Sequence, residues 1–127
     1  MILSIDQLSS DPIYQQIHDQ VVAAVAKGEL SVGDGLPSVR SLAADLGINL
    51  HTVNKAYALL RDEGYVVMKG RKGAFIADFA ASASSQQSES ADSALQESLY
   101  QLACQYVARG GTPEGFVELA RTQAARL

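Results

Sequence analysis

Apolar residues recur with a helical period through the first half of the chain. Over residues 11–27, DPIYQQIHDQVVAAVAK, Ile13, Ile17, Val21 and Val25 stand four apart with Tyr14, His18 and Val22 beside them, which predicts an amphipathic helix. Asp11 is placed to cap it, Pro12 suits its first position, and Gly28 suits the left-handed residue just past its end. The following SVGDGLPSV breaks the pattern and predicts a turn before a new start at Ser38. Val39, Leu42, Ala43 and Leu46 then share one face, and Gly47 stops that short helix. Asn49 caps a third helix, with Val53, Ala56, Tyr57 and Leu60 inward and Gly64 as its stop.

Beyond Gly64 the period changes. YVVMK and AFIAD are β-prone runs separated by Gly70-Arg71-Lys72-Gly73, which predicts a hairpin. From Ala80 to Asp92 the chain is small and polar, AASASSQQSESAD, with nothing large to bury, and is expected to be a linker or a frayed helix start. Asp92 or Ser93 then caps a helix carrying Leu95, Leu99, Leu102, Ala103, Tyr106 and Val107. Gly110-Gly111 halts it, and Thr112-Pro113-Glu114 opens a last helix with Phe116, Val117, Leu119 and Ala120. Two helices joined so closely predict an antiparallel pair, and two apolar stripes do not close a core alone.

These elements predict a mainly α fold with a small β-hairpin, a winged helix-turn-helix domain followed by a C-terminal antiparallel two-helix dimerisation unit. The expected boundaries are 1–78 for the winged domain, 79–92 for the Ala/Ser-rich linker or frayed helix start, and 93–127 for the helical pair. In a winged helix-turn-helix the helix after the Leu46-Gly47-Ile48-Asn49 turn enters the major groove, and the hairpin touches the DNA backbone or minor groove.

Charge supports that plan locally rather than globally. The 127 residues hold 10 Lys and Arg against 14 Asp and Glu, a net charge of −4. Residues 40–76 hold six basic residues (Arg40, Lys55, Arg61, Lys69, Arg71, Lys72) against three acidic ones, a local +3, whereas residues 1–39 carry one against five, a local −4. Exposed charges more than about 8 Å apart are largely screened at physiological salt, so an acidic chain with one basic segment still accommodates DNA while excluding a general nucleic-acid coat protein. The longest apolar run, Val21 to Ala26, falls far short of the roughly 20 residues a spanning helix needs. The start, MILSIDQLSS, has no signal-peptide pattern, and a single cysteine, Cys104, suits a reducing cytoplasm, the expected localisation. Cys104 is expected to be a small packing residue of the fourth helix. His18, His51 and Cys104 show no metal-ligand spacing, and no nucleophile stands beside a base, so neither a metal, a cofactor nor a catalytic set is expected.

Pro12 to Asp78 resembles the DNA-binding domain of the GntR family of bacterial transcription regulators. The resemblance rests on LPSVRSLAADLG (Leu36 to Gly47), then Thr52-Val53-Asn54-Lys55-Ala56-Tyr57, then Gly64-Tyr65. A remainder of only about fifty residues resembles the small YtrA-type branch and has no room for the effector-binding domain of larger branches. The resemblance implies that Arg40, the first turns of the recognition helix and the wing tip contact DNA, and that the protein acts as a homodimer, usually a repressor. Small members often control transporter operons, including their own. Two positions depart from the branch, where Asn-Pro-Asn-Thr-Val and Arg-Gly-X-Gly are usual. Here Asn49-Leu50-His51-Thr52-Val53 and Gly70-Arg71-Lys72-Gly73 stand instead, both where bases are read.

The candidate DNA-contacting residues are Ser38, Arg40, His51, Thr52, Asn54, Lys55, Arg71, Lys72 and Gly73. Arginine offers a planar fork to a guanine edge or paired phosphates, asparagine reads adenine, and threonine and lysine more often hold phosphates. The plainer readings are a solvated helix charge or an ion pair with Asp45 for Arg40, a merely polar helix face, and a solubilising hairpin turn. A phosphate-binding loop is excluded, since no GxxxxGK[ST] follows a strand. Leu95, Leu99, Leu102, Tyr106, Phe116 and Leu119 are the candidate dimer interface, an apolar surface that otherwise completes the core of its own chain. The expected partners are double-stranded operator DNA and a second copy of the chain, with no membrane and no readable small-molecule effector. The expected function is therefore a sequence-specific transcription regulator that binds a pseudo-palindromic operator. The alternative is a winged-helix module whose basic hairpin serves a protein partner.

Overall fold

The computed structural model describes residues 3–79 and 85–127 of the chain, which divides into two units, Met1–Ser82 and Ala83–Leu127. In the first unit, α1 (Ile13–Ala26) places Ile17, Val21 and Ala24 in the core, the face its four-residue spacing predicts. Asp11 does not cap this helix. The helix begins after Pro12 with no side-chain cap, and the Asp11 carbonyl instead accepts from Gln16 Nε2 at 3.0 Å. Gln16 is engaged because it clasps the segment before the helix. Its amide exchanges hydrogen bonds of 2.9 Å with the Asp6 backbone N–H and C=O, and Gln20, one turn on, does the same with Ser4 at 3.0 and 2.7 Å. Two side-chain amides thus satisfy backbone groups that a neighbouring strand would otherwise satisfy.

The helix-turn-helix pair is α2 (Val39–Leu46) and α3 (Leu50–Asp62). Ser38 caps α2 by accepting from the Ser41 N–H at 3.0 Å, and Asn49 caps α3 by accepting from the His51 N–H at 2.7 Å. Between them Gly47 sits at φ +66°, ψ 37°, the left-handed region that costs a side-chain-bearing residue roughly 1–2 kcal/mol. That single residue makes the turn short enough for α2 and α3 to share Leu42, Ala43, Val53 and Ala56 in one core. The largest fully buried side chains are Tyr57, Ile17, Leu60, Val21 and Val53, from α1 and α3. Each contributes about 1.5–3 kcal/mol relative to exposure.

The wing consists of β1 (Val66–Met68) and β2 (Ala74–Ile76), antiparallel with Val66 opposite Ile76 and Met68 opposite Ala74. Alternation holds on β2, where Ala74 and Ile76 are buried on either side of the half-buried Phe75, but stops on β1, where Val66 is buried and both Val67 and Met68 are exposed. The predicted turn between Ser31 and Val39 does more than turn. Gly33 N–H donates to Ile76 O at 2.9 Å, Ile76 N–H to Asp34 O at 2.8 Å, and Leu36 N–H to Ala74 O at 2.9 Å, so Gly33–Leu36 lies as a third, irregular strand on the free side of β2.

In the second unit, α4 (Ser85–Ala108) and α5 (Pro113–Ala124) are joined by residues 109–112. The fourth helix does not start at Asp92 or Ser93, as the apolar pattern predicts. It is already helical at Ser85, since glutamine, glutamate and alanine lose little side-chain freedom in a helix and extend it without needing a core. Of residues 79–92, expected to be a linker or a frayed helix start, 80–84 lie outside the described residues, and 85–92 are helical. Thr112 caps α5 by accepting from the Gly115 N–H at 3.0 Å, with Pro113 at the first helical position, as the sequence predicts. Tyr106 and Phe116 pack ring to ring at 6.0 Å. Gly111 makes room for this contact, since a Cβ there would collide with the Tyr106 ring. None of residues 90–127 is buried. Cys104 is exposed rather than packed. Among the described residues no helix is long and apolar enough to cross a membrane.

Candidate nucleic-acid interface

The outer face of α3 takes shape because its other face is committed to the core. Val53, Ala56, Tyr57 and Leu60 are buried, which leaves His51, Asn54 and Lys55 exposed and Thr52 half-buried. His51 follows the cap, in the first turn, where the helix dipole favours negative charge such as a phosphate. Lys55 is not a free cation. Its Nζ lies 4.1 Å from the centre of the Tyr14 ring of α1, a cation–π contact that fixes the side chain against the domain.

Arg40 is exposed at the second position of α2. The ion pair with Asp45 is not formed, and among the described residues Arg40 has no side-chain partner. Ser38 lends its hydroxyl oxygen to the cap of α2, and its own O–H proton remains free to donate. The approach of this segment is set by Tyr57, whose hydroxyl donates to the Pro37 carbonyl at 2.7 Å. Burial pushes the Tyr57 phenol up to about 12, so it stays a donor at every physiological pH.

At the wing tip, the Gly70–Lys72 part of the expected turn is one turn of 3₁₀ helix, closed by Lys69 N–H donating to Gly73 O at 2.9 Å. Gly73 stands at φ +97°, ψ −154°, a conformation essentially restricted to glycine, so its place in the site is as backbone geometry. Lys69 folds back over Phe75, its Nζ 4.9 Å from the ring centre. Arg71 and Lys72 are exposed and unpartnered among the described residues.

The six cations of the basic stretch therefore divide. Lys55 and Lys69 lie on aromatic rings, and Arg61 pairs with Asp62 at 3.1 Å. Arg40, Arg71 and Lys72 are left to meet an anion. The two elements that carry them, α2 and the wing, are tied to each other and to α3: Tyr57 links α3 to the start of α2, and Leu36 links that same start to β2. Nothing in the residue pattern signals these ties directly, nor the Tyr14 ring under Lys55. A charge count does not tell an occupied cation from a free one.

Of the candidate dimer residues, Leu95, Leu99, Leu102 and Leu119 are between 44 and 60% exposed, whereas Tyr106 and Phe116 are half-buried against each other. Among the described residues no group of three or more His, Cys, Asp or Glu side chains is placed to hold a metal ion.

The family description "Bacterial regulatory proteins, gntR family" matches residues 13–76, half of the chain. The HTH-type transcriptional repressor YtrA of Bacillus subtilis (strain 168) is 42% identical over 77 residues, which cover 61% of this chain and 59% of that protein. The match spans 58–64% of the length of three such curated relatives and 13–16% of the length of five longer ones. Among solved structures, a transcriptional antiterminator from Listeria monocytogenes EGD-e is 30% identical with a TM-score of 0.79, over 98% of this chain and 90% of that one. YtrA from Sulfolobus acidocaldarius, a GntR-family transcription factor, is 39% identical with a TM-score of 0.64, over 82% and 99%. AraR(DBD) in complex with operator ORX1 is 25% identical with a TM-score of 0.53, over 59% and 93%.

Proposed function

The chain belongs to the gntR family of bacterial regulatory proteins, transcription regulators with a DNA-binding domain rather than enzymes, and we propose that it is a cytoplasmic repressor that binds a pseudo-palindromic operator as a homodimer. The observation that carries this reading is the pairing of an exposed α3 N-terminus with the only unpartnered cations of the basic stretch among the described residues, Arg40, Arg71 and Lys72. His51, Thr52 and Asn54 meet base edges, Arg40 meets a guanine or paired phosphates, and the wing tip grips the backbone. Lys55, held on Tyr14, reaches a phosphate from a fixed position. The likeness to the operator-bound AraR domain and to the repressor YtrA supports the reading of the chain as an operator-binding regulator.

The partner of α4 and α5 is a second copy of the chain. Leu95, Leu99, Leu102 and Leu119 supply its apolar surface, and about 800 Å² per subunit makes a standard specific contact. Two subunits present two recognition helices to half-sites one helical turn or a multiple apart, about 10 bp per turn. The family resemblance extends this reading to the genes controlled, a transporter operon and its own gene.

The test is selection of bound fragments from a random duplex pool, followed by footprinting and sedimentation. A two-fold symmetric motif protected by two subunits supports the reading. Equal affinity for every duplex overturns it in favour of a protein-binding module.

A further inference from the structure

Away from the DNA-facing surface, one side chain joins the recognition helix to α1. The ring of His18 lies between two carboxylates, with Nε2 2.6 Å from Glu63 Oε2 and Nδ1 2.8 Å from Asp19 Oδ1. Glu63 is the residue on which α3 ends, immediately before the turn into the wing, and its own N–H donates to Leu59 O at 3.0 Å. The His18 side chain is only 12% exposed.

We propose that His18 is a positioning residue for DNA recognition: with a proton on both ring nitrogens it pins the C-terminal end of α3 to α1 through a charged hydrogen bond, and loss of one proton weakens that bond to a neutral one. The consequence for DNA rests on the function proposed above, whereas the pin itself does not. A neutral imidazole has one N–H and one lone pair, so between two carboxylates one of its nitrogens faces an acceptor with nothing to donate. Only the imidazolium donates to both carboxylates; the neutral ring protonated on Nε2 keeps an uncharged bond to Glu63, with Gln15 Nε2, 3.3 Å from Nδ1, as the donor to the bare nitrogen.

The titratable groups that face the ring are few. Asp19 lies on its own helix, where it also accepts from Gln15 Nε2 at 2.8 Å. Glu63 comes from the end of α3, and Tyr65, at the start of the wing, presents its ring edge-on at 6.3 Å. Among the described residues neither carboxylate has a lysine or arginine within ion-pair distance, so His18 supplies the only nearby positive charge. Burial, the largest single influence, disfavours the charged ring, but hydrogen bonds to Asp19 and Glu63 and their charges outweigh it and leave the His18 pKa above 6.5. The contribution to the folded domain is therefore complete below 6.5 and is lost as pH rises through the raised value.

A weaker tie at this end matters at the other. α3 is a rigid rod of 13 residues, about 20 Å long, with the base-reading positions in its first turns and Glu63 at its far end. A change of tilt at Glu63 is carried to His51 and Asn54, and through Tyr65 to the wing.

Two measurements on the full chain test the proposal. A histidine NMR titration is expected to place His18 above 6.5, with the amides of residues 60–66 shifting in step, and Glu63→Gln is expected to lower the His18 midpoint. Affinity of the wild-type protein for a duplex that it selects from a random pool is then followed from about pH 6 to about pH 8.5, beside that of His18→Gln, in which every other titrating group, His51 included, is retained. It is expected to weaken at least about fivefold, and His18→Gln is expected to flatten the profile. A His18 midpoint at or below 6.5, a midpoint indifferent to Glu63→Gln, or an unchanged profile in His18→Gln overturns the proposal. If no duplex is selected, the DNA reading falls while the titration still decides the pin.

Discussion

The Tyr57 hydroxyl of the recognition helix donates a 2.7 Å hydrogen bond to the carbonyl of Pro37, the residue before the cap of α2. A fully buried side chain of α3 thereby holds the backbone from which Arg40 projects.

Tyr57→Phe keeps the ring and its burial but leaves the Pro37 carbonyl without its donor, at a cost of about 1–3 kcal/mol. Urea unfolding near neutral pH is the measurement. The wild-type phenol is raised to about 12 against 10 in the unfolded chain, so the folded state keeps its proton longer. Stability is therefore complete below about pH 10 and falls as pH rises through 12. Tyr57→Phe abolishes this alkaline decline, and a decline that persists in the variant assigns it elsewhere.

Arg71→Ala and Lys72→Ala weaken binding to all duplexes alike and reduce the salt slope by about 0.9 for each phosphate that is no longer neutralised. Lys69→Ala and Arg61→Ala, whose cations already have partners, change the slope far less. Titrations at several salt concentrations separate the two pairs. Equal slopes would show that the occupied cations leave their partners when DNA binds.

His51→Ala and Asn54→Ala change which half-site is preferred, with discrimination reduced by about 1–3 kcal/mol at a base that is read directly. Repeated selection with each variant shows whether one position of the motif relaxes. Uniform weakening without relaxation would mark the residue as a phosphate contact.

Leu99→Asp places a charge on the exposed apolar face of α4 without removing a core side chain. Sedimentation is expected to show monomers with unchanged helical content, and operator affinity is expected to fall about a hundredfold as the second recognition helix is lost. A dimer that survives the substitution places the interface elsewhere.

Much of the first unit is legible in the chain. The inward faces of α1, α2 and α3 follow from apolar spacing, and the caps Ser38 and Asn49 from short polar side chains before it. Gly33–Leu36 is not legible as a strand, because two glycines are poor strand formers and its pairing to β2 is made by backbone groups that carry no residue code. The expected Asp11 cap fails for a related reason: Asp11 is a good capping residue, but the glutamines that clasp residues 4–6 take hold of that segment. At the candidate site the residue pattern supplies the cations but not their occupancy, since Tyr14 and Phe75 reach Lys55 and Lys69 only once the chain has folded.

Because β2 is gripped by β1 on one flank and by Gly33–Leu36 on the other, the hairpin is not a free flap. The same stretch runs on into Pro37 and Ser38, so a load placed on the Arg71 tip is transmitted to the foot of α2. Wing and helix pair then behave as the two arms of one lever, and a duplex whose groove width strains the first arm is felt at the second even at base pairs neither arm touches.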